Sequence, residues 1–328
     1  MNKTPFKRDI LSELASACAD AGLKMNIYYS LIDWGRGDFT PAGKTGSMPR
    51  DGRHGEWKDY LHFMNAQLTE LLTNYGPVGC IWFDGAWDKK IPDRELWGRT
   101  WNLDEIYSLV HRLQPGCLVG NNHHVVPWPG EDIQIFERDV PGQHLGGHSD
   151  GQEIYAGLPL ETCQTINGPW GYKIGDNECK SLRTLVRLLA RTAAKDANLL
   201  LNIGPRADGS LPEDAVSRLL EMGQWLKVNG ESIYSTRGDL MEEQDWGVLT
   251  YKDNILYVHS FGSASSIILP VCTRENKVIS VKRLSGDGKL SYRQSKDGLT
   301  ITVNQDAGTI DDVIVVSFKG NVRKDHFR

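Results

Sequence analysis

The sequence is short of the features that would place it in several common classes. It carries 37 Lys and Arg against 42 Asp and Glu, so there is no basic excess, and binding nucleic acid by neutralising phosphates is not expected. No apolar run approaches the ~18 residues that a membrane-spanning helix needs, so no membrane partner is expected. Residues 1–8, MNKTPFKR, lack the apolar core of a signal peptide. The six cysteines, at 18, 80, 117, 163, 179 and 272, form no C-x-x-C pair and have no histidines at zinc-finger spacing. Neither a disulfide framework nor a structural metal is indicated, and the expectation is buried thiols and no cofactor.

What is present is the composition of a folded protein: 40% hydrophobic and 24% charged residues over 328 positions, enough for one large or two ordinary domains. The first part alternates helical and strand patterns. Thr4 and Pro5 read as a cap and first-turn proline before Ile10, Leu11, Leu14 and Cys18 at helical spacing, and Gly22 closes that helix. Strands are expected at 23–29, 78–83, 117–121, 133–136, 160–165 and 199–203, and helices at 60–75, 104–113, 182–194 and 213–228. Apolar strands alternating with amphipathic helices predict parallel β/α units, whose functional groups gather where strands end.

Beyond about Gly238 the pattern changes to period two, as in Leu299-Thr-Ile-Thr-Val303, with turn signals at Asp253-Asn254, Gly286-Asp287-Gly288 and Asp297-Gly298. The expected organisation is an α/β part over residues 1–237 and an antiparallel β domain over 238–328. Nine of the ten tryptophans precede that boundary, which places any aromatic recognition in the α/β part.

Asp84 ends the apolar segment Val78-Gly-Cys-Ile-Trp-Phe-Asp84 and begins a loop, the position where a barrel holds a functional carboxylate rigidly. By position alone it could equally cap a helix or pair with an arginine. The residues 202–209 suggest a phosphate loop but have neither G-x-x-x-x-G-K nor G-x-G-x-x-G spacing, and read as a turn.

The ordered series Trp82-Phe-Asp-Gly85, Leu160-Glu-Thr-Cys-Gln-Thr-Ile-Asn167 with Trp170-Gly-Tyr172, Asn198 to Pro205 with Ala207-Asp-Gly209, and Trp225 to Glu231 resembles the α-L-fucosidases of glycoside hydrolase family 29. The resemblance implies a (β/α)8 TIM-like barrel followed by an antiparallel β-sandwich, and exo-acting hydrolysis of terminal α-L-fucosides by retaining double displacement. It implies a fucosylated oligosaccharide or glycoconjugate as substrate, no cofactor, and a secreted, periplasmic or lysosomal setting. Asp84 matches the nucleophile. The family's acid/base Glu falls on Gln143, whose amide cannot transfer a proton usefully. Three readings of Gln143 stay open: an introduced Glu→Gln change, a natural departure with the role moved to Glu137 or Glu153, or a different register. Tyr29, Trp82, His123 and Trp170 match sugar-contacting positions, although Tyr28 is an equal neighbour of Tyr29, and Trp82 could be core filler.

An eight-stranded barrel takes ~250 residues, and only about five barrel strands, those of its later part, can be read before Gly238. An incomplete barrel would expose strand edges, so association or a partner chain covering the gap is expected. The alternative function is a catalytically silent fucose-binding or structural fragment.

Overall fold

The structure is a computed structural model that describes residues 5–39, 55–89, 91–143, 148, 152–176, 178–262, 264–271, 276–286, 288–295, 298–303 and 309–327. Thr4, Cys272, Asp287 and Asp297, which carry some of the expectations above, lie outside these residues. By internal contacts the chain forms two compact units, Met1–Glu137 with His148–Pro159, and Arg138–Gly147 with Leu160–Arg328.

In the first unit, helix α1 (Ile10–Asp20) is capped by Asp9, whose carboxylate accepts from the Ser12 N–H at 3.1 Å. The cap is therefore five residues later than the Thr4 expected from the sequence, because an Asp adjoining the apolar stripe satisfies the orphan N–H groups directly. Strands β1 (Met25–Ser30), β2 (Val78–Asp84) and β3 (Leu118–Asn122) pair in parallel in that order. Strand β4 (Gln134–Glu137) follows a parallel bridge between Ile133 and Gly120. Gly120 is required there: a Cβ would lie 2.7 Å from Ile133 Cγ1.

Side chains on β1 alternate. Met25, Ile27 and Tyr29 are buried, while Asn26, Tyr28 and Ser30 are exposed. Helix α2 (Trp57–Asn74) turns Tyr60, Met64, Leu68 and Leu72, one residue per turn, into the same core, each contributing roughly 1.5–3 kcal/mol. Helix α3 (Arg94–Trp101), unread in the sequence, carries Gly98 at mid-helix, where the Trp128 ring packs so closely that a Cβ would meet it at 2.3 Å. Helix α4 (Leu103–Leu113) then leads into β3.

In the second unit, β5 (Leu160–Thr165) and β6 (Ala197–Asn202) pair in parallel, joined by helix α5 (Leu182–Ala194) and followed by α6 (Glu213–Asn229). From there the described residues form strands and two single-turn 3-10 helices, Gly230–Ser232 and Lys324–His326; the strands are β7 (Gly247–Lys252), β8 (Ile255–Ser260), β9 (Ser266–Leu269), β10 (Val278–Arg283), β11 (Tyr292–Ser295), β12 (Gly298–Thr302) and β13 (Asp312–Phe318). They form an antiparallel sheet β10-β13-β8-β7 and a second, β11-β12-β9. Leu256, Val258, Ile314 and Val316 from one sheet share a core with Ile267, Leu269, Leu299 and Ile301 from the other. That is a β-sandwich. The Asp253-Asn254 turn joins β7 to β8, with Asp253 at φ +51°. The fold is thus a parallel β/α part plus an antiparallel sandwich, as expected.

Candidate active site

The site of the first unit is built where β1, β2, β3 and β4 end. The parallel register sets Tyr28 opposite Trp82 and Ser30 opposite Asp84 on one side, and Gly120 opposite Trp82 and Asn122 opposite Asp84 on the other. Residues two apart on a strand share a face, so Tyr28, Trp82, Asp84 and Asn122 project together.

Asp84 is held by four donors. The Gly85 N–H, Trp87 Nε1–H and Asn122 Nδ2–H reach Oδ1 at 2.8, 3.0 and 3.3 Å, and the Tyr28 hydroxyl reaches Oδ2 at 2.6 Å. The chain escapes the strand at Gly85, whose φ of +97° favours glycine and where a Cβ would lie 2.6 Å from Ile32 Cγ1. Tyr28 stacks on Trp82 with ring centroids 5.7 Å apart and planes at 26°. Burial around the hydroxyl, then the Asp84 charge and hydrogen bond, push the Tyr28 phenol well above its ordinary pKa, so it remains a donor.

A second carboxylate stands beside the first. Glu137, at the end of β4, accepts from the same Asn122 Nδ2 at 2.7 Å. Two oxygens on one nitrogen at 3.3 and 2.7 Å are compatible with the ~5–5.5 Å carboxyl separation of a retaining glycosidase. The His124 Nε2 lies 3.1 Å from Glu137 Oε2, and His148 Nε2 lies 3.9 Å from Oε1. Burial pushes the Glu137 carboxyl up, but hydrogen bonds from His124 and Asn122 and the adjacent imidazoles outweigh it, and the net shift is downward. Trp87, His124 and His148 form a stack, with centroids 6.5 and 5.8 Å apart and planes at 9° and 16°. His124 adopts φ +60°, a left-handed conformation costing about 1–2 kcal/mol for a side chain with a Cβ.

The sequence-expected residues distribute as follows. Asp84, Trp82 and Glu137 come together. Tyr29 points the other way: it packs edge-on to Phe83 and its hydroxyl donates to Gln67 Oε1 at 2.8 Å, while Tyr28 takes the place beside Asp84. His123 is likewise turned inward, 1% exposed, with Nε2 2.8 Å from Glu131 Oε1, and His124 faces the carboxylates. Glu153 is exposed, and the Gln134 amide donates to its backbone carbonyl at 2.7 Å.

Gln143 and Trp170 belong to the second unit. The Gln143 side-chain oxygen accepts from the Val140 N–H at 3.4 Å, folding back on its own turn. The Arg138 guanidinium lies 4.9 Å over the Trp170 ring, and Asn202 Nδ2 donates to the Trp170 carbonyl at 2.6 Å. Trp87, Asn122, His124 and His148 were not singled out from the sequence, and Tyr28 entered only as an equal neighbour of Tyr29. For Asn122 a signal existed: it ends the next apolar strand after Asp84. Among the described residues no group of three or more His, Cys, Asp or Glu side chains is arranged to hold a metal.

Asp84 and Glu137 thus form a carboxylate pair beside the stacked rings of Tyr28 and Trp82 at the exits of parallel strands. The α-L-fucosidase family model matches residues 1–231, and the chain belongs to that family. It is 30% identical to the plasma alpha-L-fucosidase of Homo sapiens over 269 residues, covering 76% of this chain and 51% of that protein. Against the tissue alpha-L-fucosidase of Bos taurus it is 27% identical over 327 residues, covering 91% and 61%. The chain thus spans about half to three-fifths of these curated relatives. Among solved structures, alpha-L-fucosidase isoenzyme 1 from Paenibacillus thiaminolyticus superposes with a TM-score of 0.78 at 29% identity, covering 97% of this chain and 77% of that one.

Proposed function

We propose that this chain hydrolyses terminal α-L-fucosides of oligosaccharides or glycoconjugates in an exo-acting, retaining double displacement, with residues 1–237 as its catalytic part. The observation that carries the reading is the pair Asp84 and Glu137 held on one Asn122 amide. Asp84 is the nucleophile: its four donors orient the carboxylate for attack at the anomeric carbon. Glu137 is the second carboxyl, protonating the departing oxygen and then taking a proton from water. Because its carboxyl sits below the ordinary range, its protonated fraction grows as pH falls, and the first half-reaction is favoured on the acid side. Tyr28 and Trp82 offer stacked aromatic faces to the C–H surface and methyl of fucose.

The test is hydrolysis of aryl α-L-fucosides with good and poor leaving groups by the chain and its Asp84→Asn, Glu137→Gln and Gln143→Glu variants. Asp84→Asn is expected to abolish turnover. Glu137→Gln is expected to lose ~10²–10⁴-fold on the poor leaving group and far less on the good one. Retained turnover in Asp84→Asn overturns the nucleophile, and a gain in Gln143→Glu moves the acid/base role to position 143. The second reading, a catalytically silent fucose-binding fragment, is favoured by the amide at Gln143. It predicts fucose binding without turnover in every one of these variants.

A further inference from the structure

Behind the carboxylate pair lies a buried polar network that the chemistry does not touch. Glu131, 6% exposed, accepts from the Tyr107 hydroxyl at 2.9 Å and lies 2.8 Å from His123 Nε2, both at Oε1. Tyr107 in turn accepts from Asn121 Nδ2 at 2.8 Å. The His123 tautomer follows from its second contact. The Val125 N–H donates to Nδ1 at 3.2 Å, so Nδ1 is the acceptor and Nε2 carries the proton given to Glu131. Trp97 stands edge-on to the same ring, with centroids 5.4 Å apart and planes at 88°.

The geometry closes a tight loop around His124. The residue before it is pinned through its ring to Glu131, and the residue after it is pinned through its N–H to that same ring. His124 between them is held left-handed at φ +60° and presents Nε2 to Glu137. Asn121, tied to Tyr107, directly precedes Asn122, whose amide bridges the two carboxylates. Asn121, His123 and Val125 therefore each adjoin a residue that touches Glu137 or Asp84, and Tyr107 and Glu131 tie Asn121 to His123. The network touches neither carboxylate itself.

We propose that Glu131 is a positioning residue, which grips the His123 ring and so fixes the left-handed turn that delivers His124 to Glu137. The inference rests on the functional reading above only for what Glu137 is for. Among the described residues, Asn122, His124 and His148 face Glu137, the Tyr28 phenol feels its charge, and Asp84 lies across the shared amide. If His124 is released from its turn, Glu137 loses one of the donors that favour its ionised form.

The experiment is a carboxyl titration by NMR of the full chain labelled with ¹³C in glutamate carboxyls, with the Glu137 signal assigned by its loss in Glu137→Gln. In Glu131→Leu the Glu137 midpoint is expected to rise by about one pH unit, a tenfold change in proton affinity. Glu131→Gln keeps an acceptor for His123 and restores the midpoint. Tyr107→Phe removes a different bond to the same carboxylate and leaves the midpoint in place, which a merely structural role would not distinguish. His124→Ala raises the midpoint alone, and Glu131→Leu added to it raises it no further. Should Glu131→Leu fail to fold, His123→Leu, which drops both the donor to Glu131 and the acceptor of the Val125 N–H, is titrated in its place with the same expected rise. The proposal is overturned by an unchanged Glu137 midpoint in the folded variant, by an equal rise in Tyr107→Phe, or by a rise that persists on top of His124→Ala. The titration requires no turnover, so a chain inert on fucosides refutes the functional reading and leaves this result to be decided by the midpoint.

Discussion

Replacing Asn122 by Asp changes one atom of the bridge from a donor to a charged acceptor while keeping its shape. The new oxygen would stand where Nδ2 now lies, 2.7 Å from Glu137 Oε2 and 3.3 Å from Asp84 Oδ1, at a residue only 2% exposed. Two unit charges ~3 Å apart repel by about 5 kcal/mol at an effective dielectric constant of ~20. Even if relaxation halves that figure, each neighbour contributes about two pH units at 1.36 kcal/mol per unit. Three carboxylates in this arrangement cannot all ionise, and the cluster takes up a proton with a macroscopic pKa that belongs to the group.

The sign of the effect on stability follows. In the native chain Glu137 has a lowered pKa, so its contribution is present above the unfolded value near ~4.3 and is lost as pH falls through the folded value. In Asn122→Asp the folded cluster has a raised pKa and binds more protons than the unfolded chain above pH ~4. Its stability therefore falls as pH rises from ~4 to ~6, by about 3 kcal/mol over two units. Urea unfolding of the native chain, Asn122→Asp and Asn122→Leu at pH 4, 5, 6 and 7 checks this. Asn122→Leu also loses the bridge but adds no charge, so it should not show the downward slope. Parallel pH profiles for the native chain and Asn122→Asp would refute the claim that one amide serves both carboxylates.

Three further substitutions probe separate parts of the structure. Tyr28→Phe removes the hydroxyl from Asp84 and is expected to lower kcat/KM on an aryl α-L-fucoside by roughly 10–10²-fold, as for a hydrogen bond to a charged group worth ~1.5–3 kcal/mol. Tyr29→Phe, which loses only the bond to Gln67, should leave turnover unchanged and cost about 1 kcal/mol in a urea melt. Asp311→Ala strands the His259 imidazole, which lies 2.7 Å from Asp311 Oδ2 with both side chains fully buried, and should cost ~3–5 kcal/mol in the same assay.

How much of this was legible depends on which physical rule each feature obeys. Strands and helices of the β/α part were readable because burial on both faces, or on one stripe, writes a period into the sequence. Helix 182–194 and strand 160–165 coincide with α5 and β5. Helix α3 was not, because Gly98 and four polar residues blur its stripe, and the packing of Trp128 that requires the glycine is a long-range contact. Asp84 was readable as the polar end of an apolar strand. Its partners were not, because a pair such as Tyr28-Tyr29 or His123-His124 gives two side chains on opposite faces, and only the register says which faces Asp84. That register slips between Met25 and Asn26, where pairing jumps from Val78 to Cys80, so counting along β1 alone cannot fix the parity. At β3 the pairing of Asp84 with Asn122 settles it, and the left-handed turn at His124 carries the same side beyond the end of the strand. The side chains that surround the carboxylates are thus specified by hydrogen bonds between strands distant in sequence. A motif can name Asp84, but only the sheet can name Asn122, Tyr28 and His124.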